Sequence, residues 1–86
     1  MNHLRQVLDT GDDSFSYFLH GEAKPKYIVD CNGRLYEDLE LVGAYKLRDD
    51  RWHLYIGDQL IESSAPNTTF GLPEFELASL TRLINR

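Results

Sequence analysis

The chain is poor in cysteine, with one, and in proline, with three, and it has no apolar run of membrane-spanning length. Each shortage excludes something. A lone thiol, Cys31, has no partner for an intramolecular disulfide, which removes the stapled scaffolds of small secreted domains. A helical span needs about 18 consecutive apolar residues. The opening stretch, Met1 to Leu8, meets Asp9 before a leader-like apolar segment develops. These absences point to a reducing, cytoplasmic setting, in which the sequon Asn67-Thr68-Thr69 carries no glycan. Bases are scarce too: nine Lys and Arg against fourteen Asp and Glu give a formal charge of −5. Such a chain repels phosphate backbones and anionic lipid at long range, so direct nucleic-acid and membrane partners are not expected.

What remains suffices for one small domain spanning 1–86. A self-supporting core takes about 50 residues or more, and 86 residues that are 42% hydrophobic exceed that. The core is one layer of side chains thick, so a site is expected in a surface groove or between subunits rather than in an enclosed cavity. The acidity is uneven. Asp9 to Glu40 holds eight acids and three bases, and Leu41 to Arg86 holds six acids and five bases. This reads first as a solvated acidic face and second as a docking surface.

Organisation follows from periodicity and turn chemistry. Leu4, Val7 and Leu8 after Asn2 read as a short helical stub, or a flexible arm, within 1–13. Phe15, Tyr17 and Leu19 alternate along a strand, and Tyr27 to Cys31 is β-rich. Asn32-Gly33 is a hairpin signal, because both residues tolerate positive φ. With Asp49-Asp50 as a turn, Leu47 faces Trp52, Tyr45 faces Leu54 and Gly43 faces Ile56, while Lys46 with His53 and Ala44 with Tyr55 occupy the other side. That register also sets Arg48 opposite Arg51. With Gly57-Asp58 as the next turn, Leu54 meets Ile61, Trp52 meets Ser63 and His53 meets Glu62. Both registers place Trp52, Leu54 and Ile56 on one buried face, joined by Leu41, Tyr45, Leu47 and Ile61. Residues 34–47 exceed an ordinary strand and call for a bend or bulge near Glu37-Asp38 or Gly43. Pro73 to Arg86 reads as a helix after a loop from Ser63 to Leu72, with Leu77, Leu80, Leu83 and Ile84 as its apolar stripe. The resulting fold class is α+β: an antiparallel meander of four to five strands with a C-terminal helix packed on one face. A small SH3-like or OB-like barrel plus a C-terminal helix is the alternative.

Motifs for chemistry are few. His3, His20, His53 and Cys31 show no metal-ligand spacing, and the acids of the Asp9 to Asp13 loop lack the ligand alternation of a calcium loop. No metal and no cofactor are expected. Val7 to Asp13, containing Asp9-Thr10-Gly11, resembles the active-site loop of retroviral-type aspartic proteases, and Lys24-Pro25-Lys26 is similar to the run entering their flap. The resemblance implies a dimeric aspartic hydrolase in which Asp9 pairs with its symmetry mate and shares a proton. The family's preceding strands, glycine-rich flap tip and bracing element have no counterpart here. The leading reading of Asp-Thr-Gly is therefore a turn, and the chain is read as having no catalytic residues.

Five Tyr, four Phe and one Trp exceed what a one-layer core holds. The registers leave Phe18 and Tyr55 opposite the Trp52 face. Tyr17, Phe18, Tyr36, Glu37, Asp38 and Tyr55 are the candidate partner-binding residues. The leading functional expectation is a small acidic, non-enzymatic protein-interaction module (an inhibitor, adaptor or immunity-type protein), with a homodimer as one form. An acidic nucleic-acid mimic, blocking a DNA- or RNA-handling protein with a carboxylate row along Asp9 to Glu40, is the alternative.

Overall fold

A computed structural model of the chain describes residues 2–66 and 71–86. The sequon Asn67-Thr68-Thr69 and part of the expected 63–72 loop lie outside the described residues.

Among the described residues seven strands follow in chain order, β1 (Leu4–Asp9), β2 (Ser14–Leu19), β3 (Tyr27–Val29), β4 (Arg34–Glu37), β5 (Glu40–Arg48), β6 (Arg51–Ile56) and β7 (Gln59–Ser63), and then one helix, α1 (Gly71–Ile84). Each strand pairs antiparallel with the next, giving one meander ordered β1 to β7. The α+β class and the meander are as the sequence predicts, with more strands than the four to five expected. β1 and β7 are edges, so the sheet is open and the barrel alternative does not hold.

The extra strands have clear causes. The stretch expected as a helical stub or arm is β1, paired with β2 from Leu4↔Leu19 to Asp9↔Ser14. Two isolated helical turns are marginal in water, whereas a strand beside β2 satisfies its backbone along one whole side. Residues 34–47 divide, as expected, at a turn through Asp38 and Leu39. A bulge then inserts Val42 between Leu35↔Gly43 and Tyr36↔Leu41. Because pleat direction alternates, that extra residue turns Leu41 away from the core face on which it was expected, and it is 56% exposed.

The β5–β6 register is as the sequence arithmetic predicts, from Gly43↔Ile56 to Arg48↔Arg51. The β6–β7 register begins as predicted at Ile56↔Gln59 and then slips by one at a second bulge, at Ile61. His53 consequently meets Ser63, not Glu62, and Leu54 meets Glu62, not Ile61. The slip is productive: Glu62 comes to the helix side and forms an ion pair with Arg82 of α1. Asn32-Gly33 does lie in a hairpin. Its loop is closed by Gly33 N–H donating to Asp30 O at 3.0 Å, with Gly33 at φ 80°. Asp30 Oδ1 accepts from the N–H groups of Asn32 and Arg34.

Helix α1 starts two residues before the expected Pro73 and covers one face of the sheet. Tyr17, Tyr27, Val29, Leu35, Tyr45, Leu54, Phe75 and Leu80 are buried between the two layers. One helix serves seven strands because the sheet curls around it. Gln6 of β1 donates to Pro73 O at 2.8 Å, Tyr45 of β5 sets its ring edge-on to Phe75, and β7 reaches Arg82 through Glu62. The helix therefore lies in a trough, and among the described residues no layer covers the convex outer face of the sheet.

Candidate functional site: the outer face of the sheet

Side-chain alternation assigns the two faces. Phe15, Tyr17, Val29, Leu35, Tyr45 and Leu54 point to the helix. Their neighbours point outward. Matching registers align Ser16, Ile28, Tyr36 and Leu41 across β2 to β5, and Arg34, Ala44, Tyr55 and Leu60 across β4 to β7. Arg5 pairs with Phe18 at one corner. Lys46 with His53, and Arg48 with Arg51, fill the far ends of β5 and β6.

Of the expected binding residues, Phe18, Tyr36 and Tyr55 lie on this outer face. Tyr17 does not. It is fully buried under α1, because Phe15-Ser16-Tyr17 alternates and Phe15 also packs into the core. Its hydroxyl donates to Glu76 Oε1 at 2.5 Å and accepts from Gln6 Nε2 at 2.8 Å. Glu37 and Asp38 are at the β4–β5 turn, drawn to Lys26 at 3.5 and 3.0 Å. They form an ion-pair cluster at the rim rather than part of the aromatic surface.

The sequence reading missed the cations. Arg5, Arg34, Lys46, Arg48 and Arg51, five of the nine bases, lie on the outer face. Among the described residues the ion pairs join Lys26 to Glu37 and Asp38, and Arg82 to Glu62, so none of those five makes an ion pair. Two of them cover aromatic rings instead. The Arg5 guanidinium lies 4.9 Å from the centre of the Phe18 ring, and the Lys46 ammonium lies 5.4 Å from that of Tyr55. Half of the signal was in the sequence, since the β5–β6 register set Lys46 beside Tyr55. The other half was hidden by reading β1 as helical, which removed Arg5 from the sheet.

The acids go elsewhere for a chemical reason. Aspartate suits turns. Asp12 and Asp13, Asp49 and Asp50, and Asp38 all occupy turns, with Asp13, Asp38, Asp49 and Asp50 at positive φ. In a meander the turns collect at the two ends of the strands. Acidity thus accumulates at two rims, and the carboxylate row expected along Asp9 to Glu40 is divided between opposite ends.

No family model, curated protein or solved structure matches this chain.

The apolar part of the outer face is substantial. Leu41 and Leu60 are 56% and 49% exposed, and Ile28, Tyr36, Ala44 and Tyr55 between them are half-buried. Leu39, beside this band at the tip of the β4–β5 hairpin, is 73% exposed and adopts φ 71°. A left-handed leucine costs about 1–2 kcal/mol, so this apolar side chain is held in water at a conformational cost.

Other features offer less. Asp9 ends β1, and its Oδ1 accepts from Gly11 N–H at 3.0 Å, making the Asp-Thr-Gly tripeptide a local turn. Among the described residues no group of three or more His, Cys, Asp and Glu side chains is placed to hold a metal ion. A groove of about 290 Å³ between the end of α1 and the sheet is open to solvent, and its charged residues, Lys26 and Glu37, face each other. Glu76 is buried at 2% exposure and burial raises its carboxyl to about 7, opposed by the bond from Tyr17. Its partner is a tyrosine hydroxyl beneath the helix, which makes it part of the interlayer contact. No helix among the described residues is long and apolar enough to cross a membrane.

Proposed function

We propose that this is a non-enzymatic protein-interaction module, of the adaptor or inhibitor kind and cytoplasmic, that docks a protein partner through the outer face of its sheet. One observation carries the reading. Among the described residues the one helix occupies the concave side and nothing covers the apolar band of Tyr36, Leu41, Tyr55 and Leu60. Exposed apolar surface of this continuity marks binding sites. Tyrosines, leucines and arginines in one patch have the composition of an interface centre with its polar surround. The surface differs from the aromatic and acidic one expected from sequence, because turns take up most of the aspartates, while Asp30 stays beside the band and its Oδ2 accepts from the Tyr36 hydroxyl at 3.3 Å.

The test is comparative affinity capture from native lysate with the wild-type chain and a Leu41→Asp, Leu60→Asp double variant. Both side chains are about half exposed, so the melting temperature is expected to change little. The expected result is a stoichiometric partner retained by the wild type and lost by the variant. Identical captured sets, or a strictly monomeric wild type with no partner, would overturn the reading.

A further inference from the structure

We infer that the outer face takes an acidic, extended polypeptide segment, one that turns carboxylate and aliphatic side chains to the same face. The inference rests on the docking reading above and adds the chemistry of the occupant. An apolar band alone would accept many partners. Here Arg34, Lys46, Arg48 and Arg51 border the band on three adjacent strands, without a carboxylate partner among the described residues.

Unpaired cations beside apolar surface are half of a recognition pattern. Lys46 and Arg48 are two residues apart on β5, which sets their stems about 7 Å apart along the strand. An extended peptide repeats the side chains of one face with the same spacing, so acids two residues apart match these cations while aliphatics further along that same face meet Leu41 and Leu60. The whole chain carries −5, and Asp49-Asp50 adjoins Arg48 and Arg51 in the sequence, so the attraction is a short-range one between the peptide's acids and these cations, not a long-range field.

Single-stranded nucleic acid is the competing anion, and the structure disfavours it. A stacking platform needs open ring faces, whereas the Phe18 and Tyr55 rings lie under Arg5 and Lys46. Leu39, Leu41 and Leu60 give a phosphodiester strand nothing to bury against. A long polyanion must also cross an acidic rim or run beyond the patch, where net charge repels it.

The test titrates the full chain with a labelled synthetic peptide that carries Glu at two alternate positions and Leu at the next two alternate positions, with Ser between them, with its Lys-for-Glu counterpart, and with an oligothymidylate. Three proteins are compared: the wild type, the Lys46→Glu, Arg51→Glu double variant, and the Leu41→Asp, Leu60→Asp variant. The acidic peptide is expected to bind the wild type, to weaken about tenfold between low and physiological salt, and to weaken at least about tenfold on charge reversal. The basic peptide and the oligothymidylate are expected not to bind. Preferential binding of the oligothymidylate would replace this inference with nucleic-acid recognition. If the apolar variant loses its captured partner while charge reversal leaves capture and peptide binding unchanged, docking stands and the acidic occupant fails. If the apolar variant loses nothing, the docking reading itself fails. Circular dichroism and melting temperature of each variant establish that the sheet is intact.

Discussion

The Tyr17 hydroxyl donates to Glu76 Oε1 at 2.5 Å across the interface between sheet and helix, and both side chains are buried. Beside this contact, Tyr45 and Ser79 share a hydrogen bond of 2.8 Å. The helix therefore sits on its sheet through two tyrosine hydroxyls as well as through Phe75 and Leu80. Buried polar contacts of this kind fix register, because any shift of α1 strands a polar group away from water.

The pH dependence of stability follows from the same carboxyl. Burial raises Glu76 from an ordinary 4.5 to about 7 in the folded chain. The folded state binds the proton more tightly than the unfolded state, so this contribution is fully present below the unfolded value and lost as pH rises through about 7. The full difference is about 3 kcal/mol. Urea unfolding at pH 5 and pH 8 is expected to show the loss in the wild type. Glu76→Gln, which keeps an acceptor for Tyr17 without the charge, is expected to flatten the Glu76-dependent part of the profile. A variant profile parallel to that of the wild type would remove Glu76 as its source.

Tyr17→Phe removes the donor and leaves the Glu76 carboxylate buried without it. The expected cost is about 1–3 kcal/mol at neutral pH. Because the Tyr17 bond lowers the Glu76 carboxyl, its loss moves that titration upward. Chemical-shift titration of the Glu76 side chain distinguishes this from simple loss of packing, which would leave the midpoint in place.

Leu39→Gly is expected to stabilise the fold by about 1 kcal/mol, by relieving a left-handed leucine at an exposed turn. Leu39 has φ 71° and follows Asp38 at φ 52°. If Leu39 also anchors a partner, the same variant binds more weakly while melting higher, an opposition that a purely structural role does not produce.

Gly43→Ala is expected to be severe. A Cβ at this position falls 2.0 Å from the Tyr55 carbonyl oxygen and 3.0 Å from its carbon, both backbone atoms of the paired strand. Opening β5 from β6 disrupts the register that builds both faces, and a loss above about 3 kcal/mol is expected. A folded variant with an unchanged melting temperature would show that β6 can move aside.

The hairpins were legible because turn chemistry and strand alternation are local. Asp49-Asp50 with the apolar residues on either side dictates the β5–β6 register, and the helix is announced by Pro73 and its leucines. The bulges at Val42 and Ile61 were not legible. Each relocates a run of side chains by one position, and the benefit, Leu41 outside and Glu62 against Arg82, exists only once the helix is in place. β1 was misread because Leu4, Val7 and Leu8 satisfy a helical spacing, and the vacant edge of β2 that draws the stretch into a strand is a tertiary fact.

The amino-acid sequence alone determined the α+β class, the antiparallel order, and the burial of Tyr45, Trp52, Leu54 and Ile56 on one face, since pleat period and turn residues act over a few positions. Tertiary structure decided which aromatics remained at the surface and what surrounded them. Tyr17 went under the helix, Asp12, Asp13, Asp38, Asp49 and Asp50 went to turns, and Arg5, Arg34, Lys46, Arg48 and Arg51 were gathered onto one convex face from strands distant in the chain. That gathering depends on how seven strands lie side by side, which no local pattern encodes.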